Sequence, residues 1–230
     1  MSLRSTQSVS EVPKGAILVN ENDALIHQWT IIRSWPKLTE AWPFRLGIPL
    51  LGAAGTIGGL AINGHFRRQL KLHTYGKLST SLTMGLTPAI IISASHAMFV
   101  THDIFLNKTQ CLLCLQQKAI FLEVAFGFTY PLVLSPLANF LHSTRHGTYR
   151  LPHWGDYKGT IKLWWKFVKS AKEKFLVVIL FQALAAAFIT YKEKESLLNI
   201  QLKMLSAEAE VLESRAKKKQ KQSSVPEEPN

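Results

Sequence analysis

The sequence predicts an all-α protein: a polytopic membrane helical bundle with four transmembrane helices, interfacial amphipathic helices and a C-terminal helical tail. Three observations carry this. Residues 46–66 and 78–102 contain no Asp, Glu, Lys or Arg, and a third such run, 124–144, extends upstream to Ala119 across Glu123 alone. A fourth, 175–191, is shorter and is flanked by Lys174 and Lys192. A bilayer core of ~30 Å needs about 20 apolar helical residues, so three runs suffice and lysine stems extend the fourth. Second, helices of a soluble bundle keep a charged face, and these runs have none. Third, the net charge of +12 is unevenly placed: residues 67–77 carry +4 and residues 145–174 carry +6. With four spans these two connectors share one side. Excess Lys and Arg in short loops marks the side that is not translocated, leaving the termini and the cysteine loop opposite.

The chain divides into an N-terminal segment (1–45), a four-span membrane domain (46–191) and a tail (192–230). The spans are expected at about 46–66, 78–101, 119–142 and 175–191. The first ten residues are Ser-rich with one Arg, faintly like a mitochondrial presequence, but Glu11 arrives early. Leu25, Trp29 and Ile32 follow cap-type residues at helical spacing and predict an interfacial helix. Trp35-Pro36 and Trp42-Pro43 then break the chain before span one. In that span Gly55 and Gly59 form a G-x-x-x-G step. Lipid gives helices no hydrophobic reason to associate, so close backbone approach must supply it. Pro88, Pro131 and Pro136 predict kinks in spans two and three.

Residues 160–174 predict a basic amphipathic helix. Ile161, Trp164, Trp165, Val168 and Phe175 lie on one face, with Lys162, Lys166, Lys169 and Lys172 towards the other. That composition suits a helix in the membrane surface, with Lys162, Trp164, Trp165, Lys166 and Lys169 as candidates for anionic headgroups. A nucleic-acid partner is not indicated, since bulky apolar residues here adjoin a span. In the tail Leu198, Leu202, Leu205, Ala209 and Leu212 repeat at spacings of four and three, about two heptads, which predicts a helix docking on something apolar before residues 217–230 become disordered.

Cys111 and Cys114 are the only cysteines. Two cysteines cannot close a tetrahedral zinc site, and no α/β scaffold is present to activate a redox dithiol. A local disulfide and two free thiols remain open. Asn107-Lys108-Thr109 is a glycosylation sequon, meaningful only in the secretory pathway. His96 and Glu123 are the titratable groups expected inside the membrane. Glu123, near Lys118, reads as an interfacial carboxylate, and His96 as a polar contact between spans two and three. Two such groups fall short of a conduction path. No nucleophile–base pair, phosphate loop or metalloprotease helix occurs, so no enzyme and no cofactor or metal site is predicted.

Asn63, Phe66, Arg67 and Arg68 at the end of span one resemble the Asn-x-x-Phe-Arg-Arg signature of the transmembrane protein 126 family. Residues 127–131, with Tyr130 and Pro131, resemble its Gly-x-x-Tyr-Pro. Asn139, residues 151–153, a tryptophan at 164 or 165, and Gln182 recur in the family's order, and Cys111 and Cys114 match a pair that some members carry. His96 departs from the pattern, standing near a position where an acid is expected. The resemblance implies a four-span protein of the mitochondrial inner membrane. It implies a non-enzymatic scaffold for assembly of respiratory complex I, binding membrane-arm subunits and other assembly factors, with cardiolipin as anionic lipid. On that reading Asn63, Phe66, Arg67, Arg68, Tyr130, Pro131 and Gln182 are candidates for partner contact. The alternatives are an accessory subunit retained in the mature complex, or a channel or carrier of the ER membrane.

Overall fold

The computed structural model describes residues 19–153 and 155–223, with side chains through Lys217. Readings that fall on residues 1–18 lie outside the described residues; of the disorder expected over residues 217–230, the part over 224–230 also lies outside them, and residues 217–223 are helical instead. All regular structure among the described residues is helical. Four helices are long and apolar enough to cross a membrane: Leu38–Gln69, Lys77–Phe105, Leu112–His146 and Lys172–Lys217.

Helix α1 (Glu21–Ser34) has Glu21 and Asp23 in its first turn and Arg33 in its last, which complements the helix dipole. It ends at Trp35, extended at φ −62°, ψ 126° as a residue before proline must be. Its final carbonyls are not left to solvent. Arg45 donates to Ile32 O at 2.9 Å, Arg33 O at 2.5 Å and Trp35 O at 3.3 Å. The second Trp-Pro pair does not break the chain. A π turn, Pro43–Gly47, joins α2 (Leu38–Trp42) to α3 (Ile48–Gln69), because a widened turn takes up the proline ring that a regular ladder would meet at residue i−4.

Helix α4 (Lys77–His96) continues through a second π turn, Ala97–Thr101, into the short α5 (His102–Phe105). Helix α6 (Leu112–Val124) continues through a third, Ala125–Thr129, into α7 (Tyr130–His146). Helical assignment is unbroken across Pro88 and Pro136; departures from α geometry fall at the π turns instead, one of them two residues before Pro131. Helix α8 spans Tyr157–Ser170, with Asp156 Oδ1 accepting from Gly159 N at 2.9 Å as its cap, and ends at Ala171. The amphipathic helix thus starts and stops a few residues earlier than expected.

Helix α9 runs from Lys172 to Ser223 without interruption. The boundary expected at 191/192 is therefore not a break in structure. Glu193, Ser196, Leu197 and Ile200 lie past it and are buried. Glu193 is covered by His96 and Thr101, and the rest by the N-terminal segment, where Ser196 Oγ donates to Glu40 O and Lys203 Nζ reaches Glu40 Oε1 at 2.5 Å. The N-terminal segment is thus a cap on α9. Trp29 meets Phe105 edge-on at 5.0 Å, and Ile32, Ala41, Phe44, Leu197 and Ile200 belong to one buried cluster with Leu51 and Ile92 of the spans.

A second cluster, Ile62, Phe66, Leu70, Phe128, Phe167 and Phe175, closes the bundle at its basic end. Large apolar side chains on the outer faces, such as Ile57, Leu86, Val133 and Leu184, remain exposed, as lipid-facing residues do.

Candidate functional site

Helix α3 is the axis of the bundle, and its small residues decide what the neighbouring helices can insert. A Cβ on Gly59 would lie 2.0 Å from the Met84 carbonyl oxygen, so α4 packs against bare backbone there. A Cβ on Gly55 would meet only the tip of Ile92, at 2.2 Å, with Glu123 Oε1 at 3.8 Å. The Gln182 amide occupies the gap between Gly58 and Gly127, where added Cβ atoms would fall 2.2 and 2.6 Å from Nε2.

The polar groups inside the bundle fall in three layers. At the basic end Asn63 is a hub: its Oδ1 accepts from Asn139 Nδ2 at 2.8 Å and Ser135 Oγ at 3.1 Å, and its Nδ2 donates to Thr80 and Ser81 at 3.4 Å. One side chain thus links α3, α4 and α7. Each interhelical bond of this kind contributes about 0.6 kcal/mol in a membrane protein, so the hub fixes rotation and register more than it supplies stability. Arg67 extends the layer, donating to Thr80 Oγ1 at 2.9 Å, His73 O at 2.9 Å and Tyr75 O at 2.8 Å. Those carbonyls belong to a connector that holds Lys71, His73 and Gly76 at positive φ, a conformation that only glycine adopts cheaply. Arg67 braces it.

In the middle layer Glu123 and Gln182 are buried, and neither Glu123 Oε1 nor the Gln182 amide has a hydrogen-bond partner among the described residues. Glu123 is thus not an interfacial carboxylate. It lies inside the bundle near Gly55, and Lys118 pairs instead with Asp103 at 2.8 Å. At the far end His96 Nε2 lies 3.2 Å from Glu193 Oε2, and Thr101 Oγ1 donates to the same carboxylate at 3.5 Å. His96 therefore bonds to α9 and does not bridge spans two and three.

Burial corrects the partner-contact candidates. Asn63, Phe66, Arg67, Pro131 and Gln182 are enclosed by the chain's own helices, so a partner cannot touch them; Tyr130 is half-buried and only Arg68 is exposed. Cys111 and Cys114 are joined as a disulfide with Cα atoms 5.3 Å apart. The surface candidates divide. Trp164 is half-buried with Nε1 donating to Leu132 O at 3.2 Å, whereas Trp165 is exposed with Lys169 Nζ 5.8 Å from its ring centre. Lys162 and Lys166 line a hollow facing elsewhere.

Glu193 and Thr101 were not singled out from the sequence. The signal for Glu193 was faint: an acid between Lys192 and Lys194 reads as a solvated face. Among the described residues no three His, Cys, Asp or Glu side chains gather as metal ligands.

Four spans with polar side chains turned on one another and apolar side chains turned outward define an integral membrane protein held together by its own interior. The sequence profile of Transmembrane protein 126 matches residues 29–207, and a Transmembrane protein 126 of Drosophila melanogaster is 35% identical over 205 residues, 88% of this chain and 92% of that relative. The chain belongs to the transmembrane protein 126 family. No solved structure matches it.

Proposed function

We propose that this chain is a non-enzymatic scaffold of the mitochondrial inner membrane that binds membrane-arm intermediates of respiratory complex I and other assembly factors. The observation that carries the reading is the outer stretch of α9. Leu198, Leu202, Leu205 and Leu212 form a stripe beyond the fourth apolar run, and Leu202 is 64% exposed. An apolar stripe of this kind on a surface helix marks a binding face. The Asn63–Asn139–Ser135 hub and the His96–Glu193 pair spend their polar groups on the bundle's own packing, which supports a structural role over conduction. Anionic lipid, cardiolipin included, meets the apolar edge of α8 at Ile161 and Trp165, with Lys169 beside it.

The test is native-gel complexome profiling of mitochondria that carry the full chain or its Leu202→Asp/Leu205→Asp variant. The reading expects the unaltered chain to co-migrate with intermediates. The variant should stay in the membrane after carbonate extraction but lose most of that co-migration. Migration with the mature enzyme would make the chain an accessory subunit instead, and undiminished co-migration of the variant would remove the stripe from the account.

A further inference from the structure

On the basic side, between α8 and the connector that follows α7, lies a hollow of about 420 Å³. Its apolar floor includes Tyr149, Leu151 and Leu163, and its rim carries Arg150, Lys162 and Lys166. All three cations are exposed, none makes an ion pair among the described residues, and the lining contains no acid. The nearest acid in sequence, Asp156, is engaged as the cap of α8. The walls are held in place. Thr148 Oγ1 donates to Leu70 O at 3.0 Å, Tyr149 packs edge-on against Phe167 at 6.0 Å, and Trp164 fastens α8 to α7.

The direction of the hollow decides what it can hold. At about 100° per residue, Lys162, Leu163 and Lys166 cluster on one face of α8, while exposed Tyr157, Ile161 and Trp165 lie roughly 150° around the helix. Phe167 and Ala171 face the bundle between these two. If the Trp165 edge meets lipid, the hollow opens towards water. Lys162 and Lys166 then belong to an aqueous site and not to the headgroup layer that the sequence alone suggested for them.

We infer that this hollow is a docking site for an acidic peptide segment of a soluble protein, in which carboxylates flank one apolar side chain. The apolar residue seats on Tyr149, Leu151 and Leu163, and the carboxylates pair with Arg150, Lys162 and Lys166, the guanidinium offering a two-pronged contact. A volume of this size falls within the range of roughly 300–1,000 Å³ that holds a small ligand or a few side chains. This rests on the scaffold reading, since it names the chemistry by which the basic side would engage a soluble assembly factor.

The probe is an array of synthetic peptides in which acidic and apolar content vary independently, exposed to the purified full chain in neutral detergent. The inference expects retention by peptides with two or more acids around Leu or Phe. Asn/Gln isosteres should bind about tenfold or more weakly, as should all peptides tested against Arg150→Gln/Lys162→Gln/Lys166→Gln. The charge-matched Arg145→Gln/Lys158→Gln/Lys172→Gln variant should bind like the unaltered chain. A photo-crosslinker at Leu163 should capture a retained peptide and one at Ile161 should not, a comparison that removes no charge. Equal loss in both triple variants, equal binding of the isosteres, or equal capture at both positions would overturn the site. So would capture at Leu163 of a diazirine-bearing phosphatidylglycerol in place of peptide, which makes the occupant a lipid. A chain that binds no acidic peptide yet still co-migrates with assembly intermediates sinks the groove and spares the scaffold.

Discussion

Gly59→Ala is expected to unfold the bundle more readily than any other single methyl added to α3. The new Cβ would lie 2.0 Å from the Met84 carbonyl oxygen, and backbone cannot rotate aside as a side-chain tip can. Helices α3 and α4 must separate, and in lipid separation forfeits the dispersion contacts that hold them together. Overpacking commonly costs about 1–3 kcal/mol, and a clash with backbone belongs at the upper end of that range or beyond. Two neighbours provide the scale. Gly55→Ala meets the flexible end of Ile92 and should cost less. Gly64→Ala meets nothing within 4 Å among the described residues and should be neutral or stabilising, by up to about 1 kcal/mol of helix propensity. Thermal unfolding in detergent, followed by the fraction surviving size exclusion, should rank Gly59→Ala below Gly55→Ala below Gly64→Ala. Equal behaviour of the three would mean that α3 and α4 do not approach as described.

The second large effect separates two adjacent arginines of one motif. Arg67 is 7% exposed and makes three hydrogen bonds, two of them to carbonyls of the strained connector. Bonds to a charged donor contribute about 1.5–3 kcal/mol each, so Arg67→Gln should cost at least about 3 kcal/mol even if the glutamine recovers one of them. Arg68 is exposed and, among the described residues, bonds only to Gly64 O in its own helix, so Arg68→Gln should stay within about 0.5 kcal/mol. The same unfolding assay reads both. Matched losses would contradict the assignment of Arg67 as a brace. The contrast also matters for partner binding: a double Arg67/Arg68 neutralisation confounds misfolding with lost contact, and Arg68→Gln alone is the informative variant.

What could be read from the sequence follows from what lipid demands. A span must lack charge along some twenty residues, and that requirement leaves a mark visible without any long-range knowledge. The four spans and the segregation of the basic connectors were therefore legible. Residues 46–66 sit inside the first spanning helix, and residues 175–191 sit inside the fourth. That the tail is helical was legible from the spacing of Leu198, Leu202, Leu205 and Leu212; that its helix continues span four without a break and where it ends were not, because a polar helix and a polar tail share a composition. Thus α9 runs on past Tyr191, and Glu193 is buried where its neighbours Lys192 and Lys194 suggested solvent. Its partner His96 is 97 positions away, and no local pattern reports a pairing at that distance.

At Gly55 and Gly59 an atom of α4 comes close to the bare backbone of α3. Which glycine faces backbone and which faces a side chain depends on the rotation of α4, which the spacing does not contain. The family motif residues illustrate the same limit. Asn63 and Arg67 carry polar groups that look made for a partner, and their partners prove to be groups of this chain, whereas Gln182 is buried with its amide unpaired among the described residues. In the sequence Arg150 is one more charge of the 145–174 connector, and folding alone brings it beside Lys162 and Lys166.

Sidedness is the most direct test. With Cys111 and Cys114 replaced by Ser, single cysteines at Lys71 and Lys158 would report the two basic connectors, and single cysteines at Asn22 and Glu210 the two ends. Membrane-impermeant thiol labelling of sealed vesicles, before and after permeabilisation, should place Lys71 and Lys158 together on one face and Asn22 and Glu210 together on the other. Labelling of Lys71 and Lys158 from opposite faces would contradict the four-span arrangement on which the whole account stands.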